Sequence, residues 1–365
     1  MNNQKISSLQ FSCLLIYPIL SLFSGSGFYD ILKIAGLNSY LSIIIATILG
    51  IFILLLFLFI FNYKPDMAIY DKNIYLFGKI LGNIINYLIN ILIIIIGVVS
   101  VYSISNFIVS QFLSETPIYI ILLMLGFTTY YSVSKGIEVI ARISVIFFII
   151  IFFLTIISTF GLIPNFKLDN LKPVLEDGMK MPVIASLSFC LTNIVPIMIV
   201  LIIPKNNIID KEVCVKYIFI AYAISMLFTF LAVILTIGTL GIELLKIFPY
   251  PEYMVLKKIS ILGFIDRIEN FIYIKWMLND VVSISLIVYY ICNSIRARDK
   301  QKLLPFVVIL VILVLSQLLF KDNTEFKWFV KNIYPYLNLA LLGIFVAIFI
   351  NILVRKMIKE EDSFS

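Results

Sequence analysis

Long apolar runs set the pattern of this chain. Windows free of Asp, Glu, Lys and Arg cover 6–29, 34–63, 80–114, 116–134, 143–166, 181–204, 217–242, 303–320 and 332–354. A membrane-spanning helix needs about 20 apolar residues, and these windows have that length. A further apolar segment, about 268–295, carries Lys275 and Asp280 within it. Together they predict an all-α integral membrane protein with ten transmembrane helices, at about 8–36, 39–62, 82–113, 117–133, 135–163, 183–203, 212–241, 268–295, 303–320 and 332–356. An inner loop spans 63–79. The outer stretch 243–265 is amphipathic and reads as one or two short helices lying at the interface. Period-2 alternation, the mark of a membrane barrel, is absent.

A polar outer loop, 164–182, divides the spans five and five. The whole chain, 1–365, reads as one transmembrane domain with halves at about 8–163 and 183–357. An odd number of spans per half makes the second half inverted relative to the first. The first span of each half is interrupted. Helix 1 carries Ser24, Gly25, Ser26 and Gly27 in "LFSGSGFYD", although glycine inside a helix costs about 1 kcal/mol against alanine. Helix 6 carries Thr192, Asn193 and then Pro196 in "SFCLTNIVPIM", and proline removes a backbone hydrogen bond and kinks a span. Interrupted helices at matching positions of two inverted halves point to a midplane binding site. The restarted half-helices, near Phe28 and Val195, would present N-termini bearing about half a positive charge each. Such ends favour an anionic group such as a carboxylate. The competing reading of the glycines is close helix packing.

Composition agrees with the pattern. Hydrophobic residues make up 62% and charged residues 13%, where soluble proteins carry about 25% charged residues. The net charge of +7 acts as a topology signal. The loop "RARDKQK" (296–302) is strongly basic and "LSETP" (113–117) has no Lys or Arg, which sets both termini on the cytoplasmic side. No basic stripe with interleaved aromatics lies outside the spans, so a nucleic-acid partner is not expected. The first apolar run lacks an A-x-A-like cleavage site and reads as a helix, not a signal peptide. The four cysteines have no paired spacing, and the chain has no histidine. Neither a disulfide framework, a metal site nor a cofactor is indicated. No nucleophile has a base beside it, so the chain does not read as an enzyme.

Several further residues bear on function. Asp280 lies near the middle of helix 8, where a carboxylate must face the bundle interior. It reads as a partner for a ligand amine or cation, as a coupling group, or as a structural pair with Lys275; Asn279 adjoins it. Tyr102 and Asn106 are four apart on helix 3 and share a face, and with Tyr87 and Asn90 they form a possible pocket lining. Glu138 and Arg142 read as an intrahelical pair at the inner start of helix 5. Tyr250-Pro251 and the charged run after it read as an outer lid or docking surface, or simply as a solvated face.

The chain resembles the B subunits of GerA-type spore germinant receptors, members of the amino acid–polyamine–organocation transporter superfamily. The resemblance covers essentially the whole chain. It rests on "KISSLQF" (5–11), "ETP" (115–117), "KGIEVIAR" (135–142), "LIPNFKLDNLKPVLEDGMK" (162–180), "TIGTLG" (236–241), "YPEY" (250–253) and "GFIDRIENFIYIKW" (263–276), in that order. It implies a LeuT-like 5+5 inverted repeat with broken helices 1 and 6. It also implies a germinant-sensing role beside an A-type membrane subunit and a C-type lipoprotein in the spore inner membrane, with a small molecule such as an amino acid as germinant. Two positions depart from the family pattern. Asn193 lies where helix 6 often carries an acidic residue, and Ser283 falls where helix 8 often has a lysine. A stand-alone amino acid permease is the alternative, since both share the fold.

Overall fold

A computed structural model describes residues 4–23, 27–176, 178–259, 268–295 and 303–361. Helices account for nearly all of them: α1 (Ser8–Leu22), α2 (Phe28–Ala35), α3 (Ser39–Asn62), α4 (Ile69–Gln111), α5 (Ile118–Ser134), α6 (Ile137–Leu162), α7 (Lys180–Phe189), α8 (Lys211–Ile247), α9 (Pro251–Leu256), α10 (Asn270–Ser294), α11 (Leu303–Leu318), α12 (Asn323–Asn332) and α13 (Tyr334–Glu361). Among the described residues, seven helical stretches are long and apolar enough to cross a membrane by length and composition. Three shorter apolar helices, α1, α5 and α11, accompany them. The chain is a multi-pass helical membrane protein.

Local sequence accounts for the ends of several helices. The Ser7 side chain accepts from Gln10 N at 3.2 Å while the Gln10 side chain accepts from Ser7 N at 2.9 Å, a capping box that starts α1. Pro117 precedes α5 and Pro251 opens α9, positions where a missing N–H costs nothing. Asp322 caps α12 by accepting from Thr324 N and Glu325 N, both at 2.8 Å.

Two stretches differ from the expectation. Residues 69–77 are helical where a loop was expected, and Gly78 at φ 79° breaks the helix there and turns the chain into the span that follows within α4. Gly241 at φ 72° likewise breaks α8 at the expected end of its span, and the helical turns after it, to Ile247, belong to the outer stretch expected to hold short helices. Only glycine takes such angles at no steric cost. The polar stretch before the last span forms α12. Of the outer amphipathic stretch, Pro251–Leu256 is helical as expected, and residues 260–267 lie outside the described residues.

Side-chain and backbone contacts gather the connections at two ends. At one end, Ile6 N donates to Asn207 O at 3.0 Å and Asn206 N to Pro65 O at 2.9 Å. There Lys5 N also reaches Glu138 Oε1 at 3.0 Å, and Arg355 near the C-terminus donates to Leu76 O at 2.8 Å. Glu138 and Arg142 approach to 3.6 Å, the intrahelical pair expected there. At the other end, Lys167 N donates to Gly238 O at 2.9 Å and Leu175 N to Asn38 Oδ1 at 3.1 Å. Both termini therefore share one end of the bundle.

The centre is built from α1 and from the segment after α7. Every residue of Val195–Ile202 is buried. The outer wall is apolar and exposed, as at Phe127, Met124, Leu310 and Val314, the surface a lipid-facing helix requires. Where α3 crosses the central segment there is no spare room. A methyl on Gly50 would lie 2.5 Å from Ile194 Cδ1 and 2.2 Å from Tyr222 Oη. Gly50→Val is expected to lower stability by about 1–3 kcal/mol, the usual cost of overpacking. A thermal-unfolding comparison in detergent checks this, and an unchanged midpoint contradicts the packing described.

Candidate functional site

Both interrupted helices depart from α geometry where the sequence says they should. α1 ends at Leu22 and α2 begins at Phe28, and the described residues between them, Phe23 and Gly27, keep right-handed helical angles. Ser24, Gly25 and Ser26 lie outside the described residues, so only Gly27 of that quartet has a position. Helix 6 is α-helical to Phe189, makes a wide π turn over Cys190–Ile194, and then tightens into a 3-10 helix over Val195–Ile202 with Pro196 near its start. A π turn followed by a 3-10 run leaves amides and carbonyls out of the regular ladder.

The two interruptions meet. A methyl on Gly27 would sit 2.6 Å from the Leu22 carbonyl oxygen and 3.3 Å from Asn193 Oδ1. Phe23 and Phe189, the last residues before each interruption, bring their ring centroids to 6.1 Å. Asn193 is 1% exposed. Its Nδ2 donates to Thr192 Oγ1 at 2.8 Å, and Thr192 in turn donates to Ser188 O at 2.9 Å. Asn193 Oδ1 has no hydrogen-bond partner among the described residues. A buried carbonyl oxygen left without a donor costs about 1–3 kcal/mol.

Asn279 and Asp280 of α10 meet helix 1 on the N-terminal side of its interruption. Asp280 accepts from the Ser21 hydroxyl, and Ser21 Oγ lies 3.5 Å from Ser100 Oγ. Asn279 Nδ2 donates to Tyr17 O at 3.3 Å, and the Tyr17 hydroxyl donates to Ser144 O. This polar chain ties α1 to α4, α6 and α10 just before the interruption. Asp280 and Lys275 form no ion pair; the ion pairs among the described residues lie elsewhere. Ser21 and Tyr17 escaped the sequence reading. Their spacing of four, on the face of helix 1 that runs into the small-residue quartet, is the signal that could have found them.

The stripe on α4 is divided. Tyr102 packs its ring against Phe320 and Phe326, with centroids at 4.9 and 4.5 Å. Asn106 donates to the Tyr250 hydroxyl at 3.1 Å. Through these two residues the C-terminal part of α4 packs against Tyr250 before α9 and against Phe326 of α12. Asn90 instead pairs with Ser294, donating to its hydroxyl at 2.6 Å, beside Tyr87 in a separate cavity of about 370 Å³. Tyr250 is buried against Phe107 and Trp276, so the outer stretch packs into the bundle.

A profile of the family described as "Spore germination protein" matches residues 5–325. Spore germination protein KB of Bacillus subtilis (strain 168) is 26% identical over 341 residues, covering 91% of this chain and 90% of that protein. Spore germination protein YndE of the same organism is 25% identical over 300 residues, covering 79% and 80%. Spore germination protein XB of Bacillus anthracis is 22% identical over 313 residues, with 86% of each covered. Matched along nearly all its length, the chain belongs to the spore germination protein family.

Proposed function

We propose that this chain is the germinant-sensing membrane subunit of a spore germination receptor. In this reading it binds a small polar ligand, of the amino-acid kind, where the two interrupted helices meet at the membrane midplane. The observation that carries the reading is the apposition of Gly27 and Asn193, with a buried Asn193 oxygen that no described group satisfies. Ser24, Gly25 and Ser26 would supply backbone amides beside it. Asn279 and Asp280 would hold helix 1 from the far side, and Thr192 would fix the Asn193 carboxamide. Tyr102 and Asn106 act as closure of the outer end.

The architecture read here is ten spans in a LeuT-like 5+5 inverted repeat. It is supported by matched irregularities about 166 residues apart, at Gly27 and Asn193, and by both termini lying at one end. The partners are an A-type membrane subunit and a C-type lipoprotein. The setting is the spore inner membrane, with the termini cytoplasmic. Asn193→Leu removes the acceptor while keeping the bulk. It should shift the germination dose response about tenfold at normal protein level, the scale of one buried hydrogen bond. An unshifted response overturns the reading. Orientation has its own test. Cysteine replacing exposed Glu176 should react with a membrane-impermeant maleimide from outside, and cysteine replacing exposed Asp66 should not. The reverse pattern would invert both half-helix dipoles.

A stand-alone amino acid permease is the second reading. It draws on the cavities toward the two ends of the bundle, about 110 Å³ and about 370 Å³, on either side of the interruptions. Uptake of labelled amino acids into proteoliposomes holding this chain alone favours the permease. Response only with its partner subunits favours the receptor.

A further inference from the structure

The cavity of about 110 Å³ is walled by α1, α6, α8, α9 and α10. It lies on the far side of Phe23 from Asn193: Phe23 lines it and turns its ring to Phe189. Two polar side chains of α10, Lys275 and Asn279, open into it. They are four apart, hence one above the other on the same helix face. No ion pair or hydrogen bond reaches Lys275 Nζ among the described residues. An ammonium group inside a spanning helix is costly and calls for a partner. Asn279 is 3% exposed. Its Nδ2 is committed to Tyr17 O, and its Oδ1 is unpartnered. One turn of helix thus presents three cationic donors and one free acceptor to the same cavity. Glu252 of α9 adds negative charge, Leu20, Phe228 and Trp276 supply an apolar side, and Thr155, Ser158, Thr159 and Thr236 add hydroxyls.

We propose that this cavity is a second binding site, distinct from the helix interruptions, for a small zwitterion of the amino-acid class. The carboxylate of the zwitterion pairs with Lys275, its ammonium group donates to Asn279 Oδ1, and its side chain lies against the apolar wall. Neither a simple anion nor a simple amine satisfies both groups. Lys275 and Asn279 stand one helical turn apart on one face, which suits an α-amino acid, whose ammonium and carboxylate groups are joined through a single carbon.

Trp276 reports on the site directly. The chain has two tryptophans, and Trp328 is exposed on α12, so Trp328→Phe leaves Trp276 alone. The full-length variant in lipid vesicles is titrated with a mixture of the non-aromatic standard L-amino acids, then with propionate and propylamine. The expected result is a saturable change in Trp276 emission with the amino acids, a weaker response to propionate and none to propylamine. Adding Lys275→Met should weaken amino-acid binding about ten- to hundredfold, the scale of a hydrogen bond to a charged group. Lys275→Arg should retain it within severalfold. Without ligand, Lys275→Met should be at least as heat-stable as its parent, since it removes an unpaired charge; Lys275→Gln serves if the methionine variant fails to fold. The proposal is overturned if no amino acid in the mixture changes Trp276 emission saturably, or if the methionine or glutamine variant titrates like its parent. Asn193, which does not line this cavity, separates the two sites: if Asn193→Leu abolishes the Trp276 titration and Lys275→Met does not, the interruption site stands and the Lys275 site falls.

Discussion

Spores carrying Gly27→Leu should not germinate at a ligand concentration that saturates the wild type, although the protein is made and assembled normally. The reason is local. Even a methyl at position 27 meets the Leu22 carbonyl oxygen at 2.6 Å, well inside ordinary contact. A leucine must therefore displace the backbone of the interruption or push into Asn193, whose Oδ1 stands 3.3 Å from the first added carbon. Either movement destroys the apposition that the proposed site depends on. Overpacking of this kind costs about 1–3 kcal/mol, and a helical membrane protein of this size should tolerate that. Lateral surfaces and outer loops are untouched, so partner subunits should still co-purify. Gly27→Ala meets the same backbone oxygen, so it should also impair the response, with a smaller shift because one carbon needs less displacement. Dose–response curves alongside immunoblots of the spore membrane separate the cases. A normal response at normal abundance would make the small residues of helix 1 a packing feature only.

Asp280→Asn is the second large effect expected. The carboxylate is 3% exposed in a spanning helix, and its described hydrogen bond comes from the Ser21 hydroxyl. Asparagine keeps the shape and can still accept that bond, so the fold should hold. What disappears is the charge. If a ligand amine or a cation is drawn to the junction by that charge, sensitivity should fall about ten- to hundredfold, as for loss of a charge-assisted hydrogen bond. Ser21→Ala is the matched control. It removes the donor and leaves the carboxylate, and should weaken the response less. Equal, small effects from both would make the Ser21–Asp280 contact a structural tie between α1 and α10. A normal response from Asp280→Asn at normal protein level would remove Asp280 from the ligand-sensing account.

Much of this was legible in the chain because the bilayer imposes coarse rules. Stretches without charge become helices since no other element satisfies its backbone in lipid. The interruptions at Gly27 and at Asn193–Pro196 were readable because glycine and proline act on the backbone itself. Their contact was suggested by the inverted arrangement of halves expected from the count of spans. What resisted was anything decided by packing between distant segments. Tyr102 and Asn106 share a face, as their spacing requires. Which neighbours that face meets depends on α9 and α12, whose placement no local pattern gives. The turns at Gly78 and Gly241 were invisible for a related reason. A glycine with positive φ inside a helical pattern looks like any other glycine until the chain on either side is seen to change direction. The helix Asn323–Asn332 did carry a local signal, since Asp322 followed by Thr324 and Glu325 is a capping pattern, but its short polar sequence hid it beside the long spans. Lys275 was noticed only as a neighbour of Asp280. Its direction into a cavity with Asn279 depends on walls supplied by α6 and α8.

The central claim is that ligand binds where the two interrupted helices meet, and amide hydrogen exchange on the unmodified protein tests it most directly. Amides outside the regular ladder exchange readily, and a ligand that engages them slows exchange locally. With and without a germinating concentration of ligand, the account predicts that segments 23–28 and 190–196 become protected together, while α5 and α11 on the lipid-facing side stay unchanged. Unaltered exchange in both segments at a ligand concentration that triggers germination would contradict it.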